Sequence, residues 1–396
     1  MNMKQVTLVL CLSICQLSFL SPGDNILFTG VPKTNQSKPT LTLSQVERLV
    51  KIKAPDETVA GEIKERGVGF TVDDNTIATL RRLGAGPKTV SALLAVRPAS
   101  LDALPLRAFE FDVVTIDSSG SETSHSKGKA QSRTEDTAGI ALELVLIPGG
   151  TFLMGSSKSS ESEAITAGAY NENDYYTEKP PHQVTVESFY IGKYEVTQAQ
   201  WRIVAGLPKV ARDLNRDPSR FIDDKFPVER VSWDDAMEFC ARLSHATRRS
   251  YRMPTEAEWE YACRGGTTTP FAFGQTITPQ LVNYDGNHPL YKQAEKGKYL
   301  RRTMEVGSMG VANGFGLFDM HGNVSEWCLD YWHKNYDGAT TDGSSWETAG
   351  DSRNRVRRGG AWPFHAETCR SARRAEDPPN FSADYIGFRV AIARTP

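Results

Sequence analysis

The sequence of 396 residues lacks the features by which several large functional classes are identified. Its formal net charge is only −2, so it has no positive excess that would favour nucleic acid or an anionic membrane as a partner. It contains no CxxC pair and no histidine-rich cluster, which argues against a structural zinc site. It also contains no phosphate-binding loop, no dinucleotide-binding fingerprint and no Ser-His-Asp set.

Long apolar runs are scarce, and the run at residues 6–20 is shorter than a comfortable membrane span. Lys4 precedes this run and Ser21-Pro22-Gly23 ends it, which is the pattern of a signal peptide over residues 1–22. We therefore predict export to the periplasm or the extracellular space, with no membrane span left after signal removal. An exported chain can keep a disulfide, and four of the six cysteines lie beyond the signal.

Residues 41–97 have a helical pattern that contains a hidden repeat. The apolar positions of residues 46–66 recur 31 residues later, which predicts two stacked helical hairpins of one design. Asp56 is placed to cap a helix that ends near Gly67. The second copy includes LRRLGAGPKTVSALL, which resembles a DNA-binding helix-hairpin-helix element. An exported protein does not meet DNA, and a near-neutral charge does not favour binding it. We therefore interpret residues 41–97 as a small packing module, with a scaffold that docks a partner as an alternative.

The stretch at residues 314–332, GFGLFDMHGNVSEWCLDYW, has neither a helical nor a strand period. This lack of period predicts a buried irregular loop that is pinned by its aromatic side chains. Backbone groups in a buried loop need partners, and a hard cation bound by oxygen atoms is one solution. Asp319, Asn323 and Glu326 offer such oxygens at a local spacing.

The part of this stretch that reads GLFDMHGNVSEW resembles the signature of the formylglycine-generating enzyme family, also called sulfatase-modifying factor. Four other segments agree in order: IPGGTFLMG at 147–155, YIGKYEVTQAQW at 190–201, RMPTEAEWEYACRGG at 252–266, and RGGAW at 358–362 with GFR at 387–389. The resemblance implies the loop-rich α+β fold of this family, which is similar to C-type lectin domains. We expect this domain at residues 108–394, preceded by the small all-α repeat module.

The known enzymes of this family oxidise a sulfatase cysteine to formylglycine, using O₂ and a copper ion held by two cysteine thiolates spaced C-x4-C. Counted from the two glycines of RGGAW, the resemblance places Phe364 at the first thiolate position and Cys369 at the second, with Ala361 where the family has serine. Counted back from the GFR motif at 387–389, the loop is shorter than in the copper enzymes, and Cys369 falls instead on a strand position beside residues 370–372. Either register leaves at most one thiolate. Cu(I) is a soft ion that prefers a pair of sulfur ligands, so a single thiolate is a poor cage. We therefore expect no copper cofactor and no copper oxidase activity, and the active formylglycine-generating oxidase is the alternative.

The resemblance implies that Ca²⁺ is a cofactor of the central stretch. Its ligands in this sequence would be Asp319, Gly322, Val324 and Glu326. A second family site would use Asn283 and the carbonyl of Tyr284, with Asp285 in place of a missing downstream acid.

We expect a groove that binds a peptide or a small ligand, with a peptide or protein as partner. The predicted groove residues are Ala361, Trp362, Phe364, His365 and Arg374. His365 has no second histidine or free carboxylate at metal-ligand spacing along the chain, so we interpret it as a lining residue. Relatives often pair a cysteine at the position of Cys263 with one near Cys369, which implies a disulfide, although both thiols could equally stay reduced.

Overall fold

The computed structural model describes residues 39–68, 72, 74–96, 100–137, 139–156, 172–291 and 296–394. The predicted signal peptide at residues 1–22 lies outside the described residues, as does most of the long polar loop after Ser156. No helix in the described part of the chain is both long enough and apolar enough to cross a bilayer.

Four short helices form the N-terminal module, and they repeat in pairs. Their bounds are α1 Leu43–Lys51, α2 Asp56–Arg66, α3 Asp74–Arg82 and α4 Pro87–Val96. Leu43 and Asp74, which begin α1 and α3, are 31 residues apart, as are the first residues of α2 and α4. The apolar positions of both hairpins face each other in one buried cluster that includes Ile63 and Leu93. The spacing of the sequence repeat is therefore also the spacing of the helices.

Asp56 does not cap its own helix, as the sequence had predicted, because Pro55 occupies the N-cap position of α2. The Asp56 carboxylate instead accepts hydrogen bonds from the backbone N–H groups of Lys88 and Thr89, each at 2.8 Å. These amides belong to the first turn of α4, where helix N–H groups have no partner within the helix. Asp56 thus joins the two hairpins across the repeat.

The large domain contains a five-stranded sheet in the order β1-β2-β3-β6-β11. Its strands are β1 Arg107–Ile116, β2 Glu122–Thr137, β3 Ile140–Ile147, β6 Phe189–Gly192 and β11 Ala391–Ala393. A separate pair is formed by β4 Gly150–Met154 and β5 His182–Val186. The polar segment that forms β2 pairs antiparallel with β1 along its whole first part.

A second sheet, in the order β10-β7-β8-β9, carries the central motif. Its strands are β7 Ser325–Trp332, β8 Asp351–Arg358, β9 Arg374–Asp377 and β10 Ile386–Gly387. The prediction of an irregular loop throughout residues 314–332 is therefore wrong for its second half. Nearly every residue of β7 is buried, and a strand buried on both faces shows no alternation of polar and apolar residues.

The remaining helices pack around these sheets, and three of them begin at capping boxes. They are α5 Glu172–Thr177, α6 Gln198–Ala205, α7 Trp233–Thr247 and α8 Glu256–Arg264, with 3-10 helices at Leu101–Ala103 and Ala366–Cys369. Thr197, Ser232 and Thr255 each accept a hydrogen bond from the third residue of the following helix. Stacked and edge-on aromatic rings fill the core, and the mixed α+β class is confirmed.

Candidate functional site

Three motif segments that are far apart in sequence meet on β7. Glu326 of GNVSEW is paired in register with Arg358 of the RGG motif on one side and with Gly387 of the GFR motif on the other. Arg389, two residues beyond the end of β10, then binds Glu326, with Nε–Oε2 and Nη2–Oε1 distances of 2.7 Å each. Trp259 Nε1, from the RMPTEAEWE motif, donates to the same Oε2 at 2.8 Å.

Two further glutamates of α8 hold buried arginines beneath this sheet. Glu260 binds Arg264 and Arg358, and these cations lower the pKa of the Glu260 carboxyl against the opposing effect of burial. Glu256 receives Arg374 through Nε–Oε1 and Nη2–Oε2 distances of 2.6 and 2.9 Å. All these charged groups are buried, and buried charges persist in folded proteins because they are paired.

Arg374 was predicted as a groove residue, and this prediction is wrong. Its side chain is fully buried, stacks over Trp332 and Tyr336, and donates to the carbonyls of Thr177 and His333. The first position of β9 turns it towards α8 rather than towards solvent. A single motif arginine on a short strand could not be assigned to either face from sequence.

The four residues predicted to bind calcium lie on the turn that precedes β7 and on β7 itself. Asp319 has φ 58° and Gly322 has φ 81°, so the turn folds back twice within a few residues. Asp319 Oδ2 accepts a hydrogen bond from Gly307 N at 2.6 Å, while both oxygens of Glu326 face Arg389. The backbone N–H of Val324 donates to Glu195 Oε1 at 3.2 Å.

Glu195 makes this region more acidic than the sequence motif indicated. Burial, followed by the charges of Asp319 and Glu326, raises the pKa of Glu195 well above its ordinary value. Burial likewise raises the pKa of Asp319 to about 6. The buried carboxyl groups of Glu195 and Glu326 and the half-buried one of Asp319 thus act on Arg389 together, and the amide oxygen of Asn283 close by has no hydrogen-bond partner among the described residues. This oxygen-rich donor set fits a hard divalent cation, which would supply the missing positive charge.

The predicted groove residues separate into three environments. Ala361 and Trp362 are buried, and Trp362 Nε1 donates to the carbonyl of Asp384 at 2.9 Å. Phe364 is half-buried and packs edge-on against Tyr385, with ring centroids 4.9 Å apart. His365 is exposed and stacks on His288 instead.

Phe364 lines a cavity of about 110 Å³ beside the glycine pair that ends β8. The other lining residues are Ser325, Arg357, Arg358, Gly359, Gly360, Thr368, Arg373 and Ala375. Three arginines and no acidic residue are thus among the residues that line the cavity, although the Arg358 guanidinium is itself buried against Glu260. Arg357 lies at its half-buried side, where Nε binds Asp377 Oδ2 at 2.6 Å.

The two positions that correspond to the copper thiolates hold an aromatic ring and a buried thiol. The Cys369 side chain packs so closely on Gly360 that a Cβ there would lie 2.5 Å from Sγ. Burial raises the pKa of the Cys369 thiol to about 12, so it is protonated at neutral pH. Phe364 offers no sulfur, and the residues present therefore do not fit a two-thiolate copper cage.

The predicted disulfide between Cys263 and Cys369 is absent from the structure, where both cysteines are free and buried. The ring of His321 contacts both segments: Cys263 Sγ lies 3.7 Å from Nε2, and Nδ1 bonds the carbonyl oxygen of Cys369 at 2.7 Å. Burial lowers the pKa of His321 to about 4, so this ring is neutral. Cys240 and Cys328 are also buried free thiols.

His365 has metal-ligand neighbours that the sequence analysis missed. Asp285 and His288 each bring one ligand atom within 4.8 Å of the others and of His365. The local signal was the Asp-Gly-Asn-His spacing at residues 285–288, but His365 lies too far along the chain for any spacing to indicate the contact.

Comparison with known proteins places these motifs in one family. The family model described as "Sulfatase-modifying factor enzyme 1-like domain" matches residues 129–394. The chain is 29% identical to mouse formylglycine-generating enzyme, over 64% of this chain and 76% of that protein. It is 30% identical to the chaperone protein LppX of Paenibacillus barcinonensis, over 66% and 91%. It is 28% identical to bovine inactive C-alpha-formylglycine-generating enzyme 2, over 64% and 89%.

Solved structures agree with this assignment. PvdO from Pseudomonas aeruginosa superposes with a TM-score of 0.52 at 31% identity, covering 64% of this chain and 95% of that one. Treponema denticola variable protein 1 superposes with a TM-score of 0.51 at 25% identity, covering 67% and 99%. The expected loop-rich fold, similar to C-type lectin domains, is confirmed. With motifs, fold and family model in agreement, the chain belongs to the formylglycine-generating enzyme family, also called sulfatase-modifying factor.

Proposed function

We propose that this chain is an exported member of the family that binds a carboxylate-bearing peptide at the Phe364 cavity and does not catalyse copper-dependent oxidation. The observation that carries the proposal is the half-buried aromatic ring of Phe364 at the first copper-thiolate position, beside a cavity bordered by arginines. A relative whose printed name calls it inactive shows that the family includes such proteins. Another relative is named a chaperone protein, which is consistent with a polypeptide ligand.

The size of the cavity limits what can enter it. A whole drug-sized ligand needs roughly 300 Å³ or more, whereas this cavity has about 110 Å³. It can therefore take one side chain or a terminal group of a longer ligand that lies across the surface. Larger, open clefts of about 600 Å³ occur elsewhere, for example beside Lys129, but Phe364 and the RGG motif line none of the three that we find.

The charge of the lining favours a carboxylate as the inserted group. Arg357 presents a guanidinium beside the half-buried ring of Phe364, and Ser325 Oγ lies 3.2 Å from Arg357 Nη1. The planar guanidinium fork matches a carboxylate by two parallel hydrogen bonds. Phe364 offers an apolar wall for the rest of the side chain. Hydrogen bonds to charged groups are stronger than neutral ones, so the ligand's charge should decide its affinity.

The proposal also includes a calcium ion, which would stabilise the structure and take no part in a reaction. Asp319 and Glu326 would supply carboxylate oxygens, and Gly322 and Val324 would supply main-chain carbonyls. Export supports this because extracellular Ca²⁺ modules work with dissociation constants of about 10⁻⁴–10⁻³ M. The ion would stabilise the turn before β7, and this turn positions Ser325 at the cavity.

Blocked tripeptides of sequence Ala-Glu-Ala and Ala-Gln-Ala provide a direct test, because they differ only in the charge of the central side chain. We expect the Glu peptide to shift the NMR signals of residues around Phe364 and the Gln peptide to bind at least about tenfold more weakly. Arg357→Met should abolish this preference, while the matched variant Arg353→Met, on the same strand but exposed, should keep it. Equal binding of both peptides, or none by either, would contradict the proposal.

A further inference from the structure

We propose that Asp285, His288 and His365 form a binding site for a divalent transition-metal ion of the zinc class, separate from the calcium turn. Their ligand atoms all lie within 4.8 Å of one another, although two loops distant in sequence contribute them. The inference rests on this cluster alone and does not depend on the proposed peptide binding.

Backbone hydrogen bonds fix the two loops against each other on both sides of the cluster. The N–H of Asp285 donates to the carbonyl of Phe364 at 2.8 Å, and the N–H of Ala366 donates to the carbonyl of His288 at 3.3 Å. His288 and His365 are thereby brought into a stack with ring centroids 4.1 Å apart and an angle of 20° between the planes. The main chain therefore holds the two loops that carry the three side chains next to each other.

The Asp285 carboxylate is oriented as metal-binding carboxylates are. Its Oδ1 accepts hydrogen bonds from the N–H and the side-chain amide of Asn287, at 3.1 and 2.9 Å. Its Oδ2 faces His288 Nε2 at 3.7 Å, which is longer than a hydrogen bond. One oxygen is therefore held by the protein, and the other is directed into the cluster. Hydrogen bonds of this kind fix the direction of a ligand before the metal arrives.

The donor set selects the class of metal. Two imidazole nitrogens and one carboxylate oxygen suit zinc and its neighbours in the transition series, whereas calcium takes oxygen ligands. The His288 side chain is 54% exposed, so the ion could keep open positions for water or for a donor atom of a ligand. Since His365 directly follows Phe364, such an ion would also brace the wall of the cavity.

The test uses the full chain, free of any histidine tag, in buffer that contains excess Ca²⁺. Zinc binding is measured by isothermal titration calorimetry, and Co²⁺ is used as a spectroscopic probe of nitrogen ligation. We expect one equivalent of Zn²⁺, with an affinity at least about tenfold lower in each of His288→Gln, His365→Gln and Asp285→Asn. His125→Gln is the matched control, since His125 lies 2.9 Å from an Asp112 oxygen on the strand pair β1–β2 but belongs to no such cluster.

His288→Gln and His365→Gln change exposed side chains, so they test the site without a risk to folding. Zinc affinity that is unchanged in both variants would overturn the proposal. So would Zn²⁺ binding that never saturates at one equivalent, or a Co²⁺ spectrum that is the same in wild type and His365→Gln.

Discussion

Glu326 and Arg389 face each other in a bidentate ion pair, with two N–O distances of 2.7 Å, and neither side chain has access to solvent. The pair joins the GNVSEW and GFR motifs across the parallel contact of β7 with β10. Arg389 also donates to the carbonyls of Gly192 and Phe318, so one guanidinium ties both sheets to the turn before β7.

Removal of the Arg389 charge should destabilise the domain severely. Arg389→Met would leave Glu326 buried without its cation and next to two further carboxyl groups, and breaking such a pair costs about 3–5 kcal/mol. Urea unfolding of the purified chain measures this cost. Arg353→Met removes an arginine whose side chain is 87% exposed, and should change the free energy of unfolding by less than about 1 kcal/mol. Comparable effects of the two substitutions would contradict the buried role of Arg389.

Substitutions at Arg374 and Arg357 should have opposite effects, the first on the free energy of unfolding and the second on peptide binding. Arg374→Met removes the bidentate partner of Glu256 and leaves only Arg358 Nη1, at 3.7 Å, as its cation in the core. This loss should cost about 3–5 kcal/mol of unfolding free energy. At a temperature where the variant is still folded, its affinity for the Ala-Glu-Ala peptide should match that of the wild type. Arg357→Met should show the reverse, with peptide binding lost and a smaller stability cost. If folded Arg374→Met loses peptide binding, the conclusion that Arg374 lies outside the binding groove is wrong.

Calcium should raise the melting temperature of the domain, since an ion bound only to the folded state stabilises that state. At a hundredfold excess over its dissociation constant the gain is about 2.7 kcal/mol. The measurement is a thermal melt in calcium and in chelator, with magnesium as the control ion. Asp319→Asn removes one charged ligand and should abolish the difference. Identical melting temperatures in calcium and in chelator would contradict calcium binding by the folded domain.

Glu229 should give the unfolding free energy a specific pH dependence. Burial raises the pKa of its carboxyl from 4.5 to about 7, although backbone N–H groups of Phe221 and Arg220 bind it. Between these values the folded state holds a proton that the unfolded state has lost, so the unfolding free energy falls as pH rises. Glu229→Gln should flatten this slope, with a difference of about 3 kcal/mol across the window. The exposed control Glu347→Gln should leave the slope unchanged, and parallel curves for wild type and Glu229→Gln would disprove the effect.

Local signals in the sequence were sufficient for the elements that local interactions determine. The capping boxes at Thr197 and Thr255 each pair the cap with a side chain three residues ahead, and a helix begins at both. The repeat spacing of 31 residues likewise relates Leu43 to Asp74, because both hairpins bury the same apolar positions.

Contacts between distant segments could not be read in the same way. β7 was missed because burial on both faces removes the alternation that marks a strand. The burial of Arg374 depends on which face β9 presents to α8, and four residues are too few to show it. The stacking of His288 on His365 depends on how two loops pack together, which no pattern within either loop encodes.

The central claim is that this scaffold of a copper oxidase family has no two-thiolate copper cage, and a competition titration with Cu(I) on fully reduced protein tests it most directly. The wild type and Cys369→Ser should retain the same amount of Cu(I) against a strong Cu(I) chelator, because the Cys369 thiol is buried and Phe364 offers no second sulfur. One tightly held equivalent of Cu(I) in the wild type that is lost in Cys369→Ser would contradict the account.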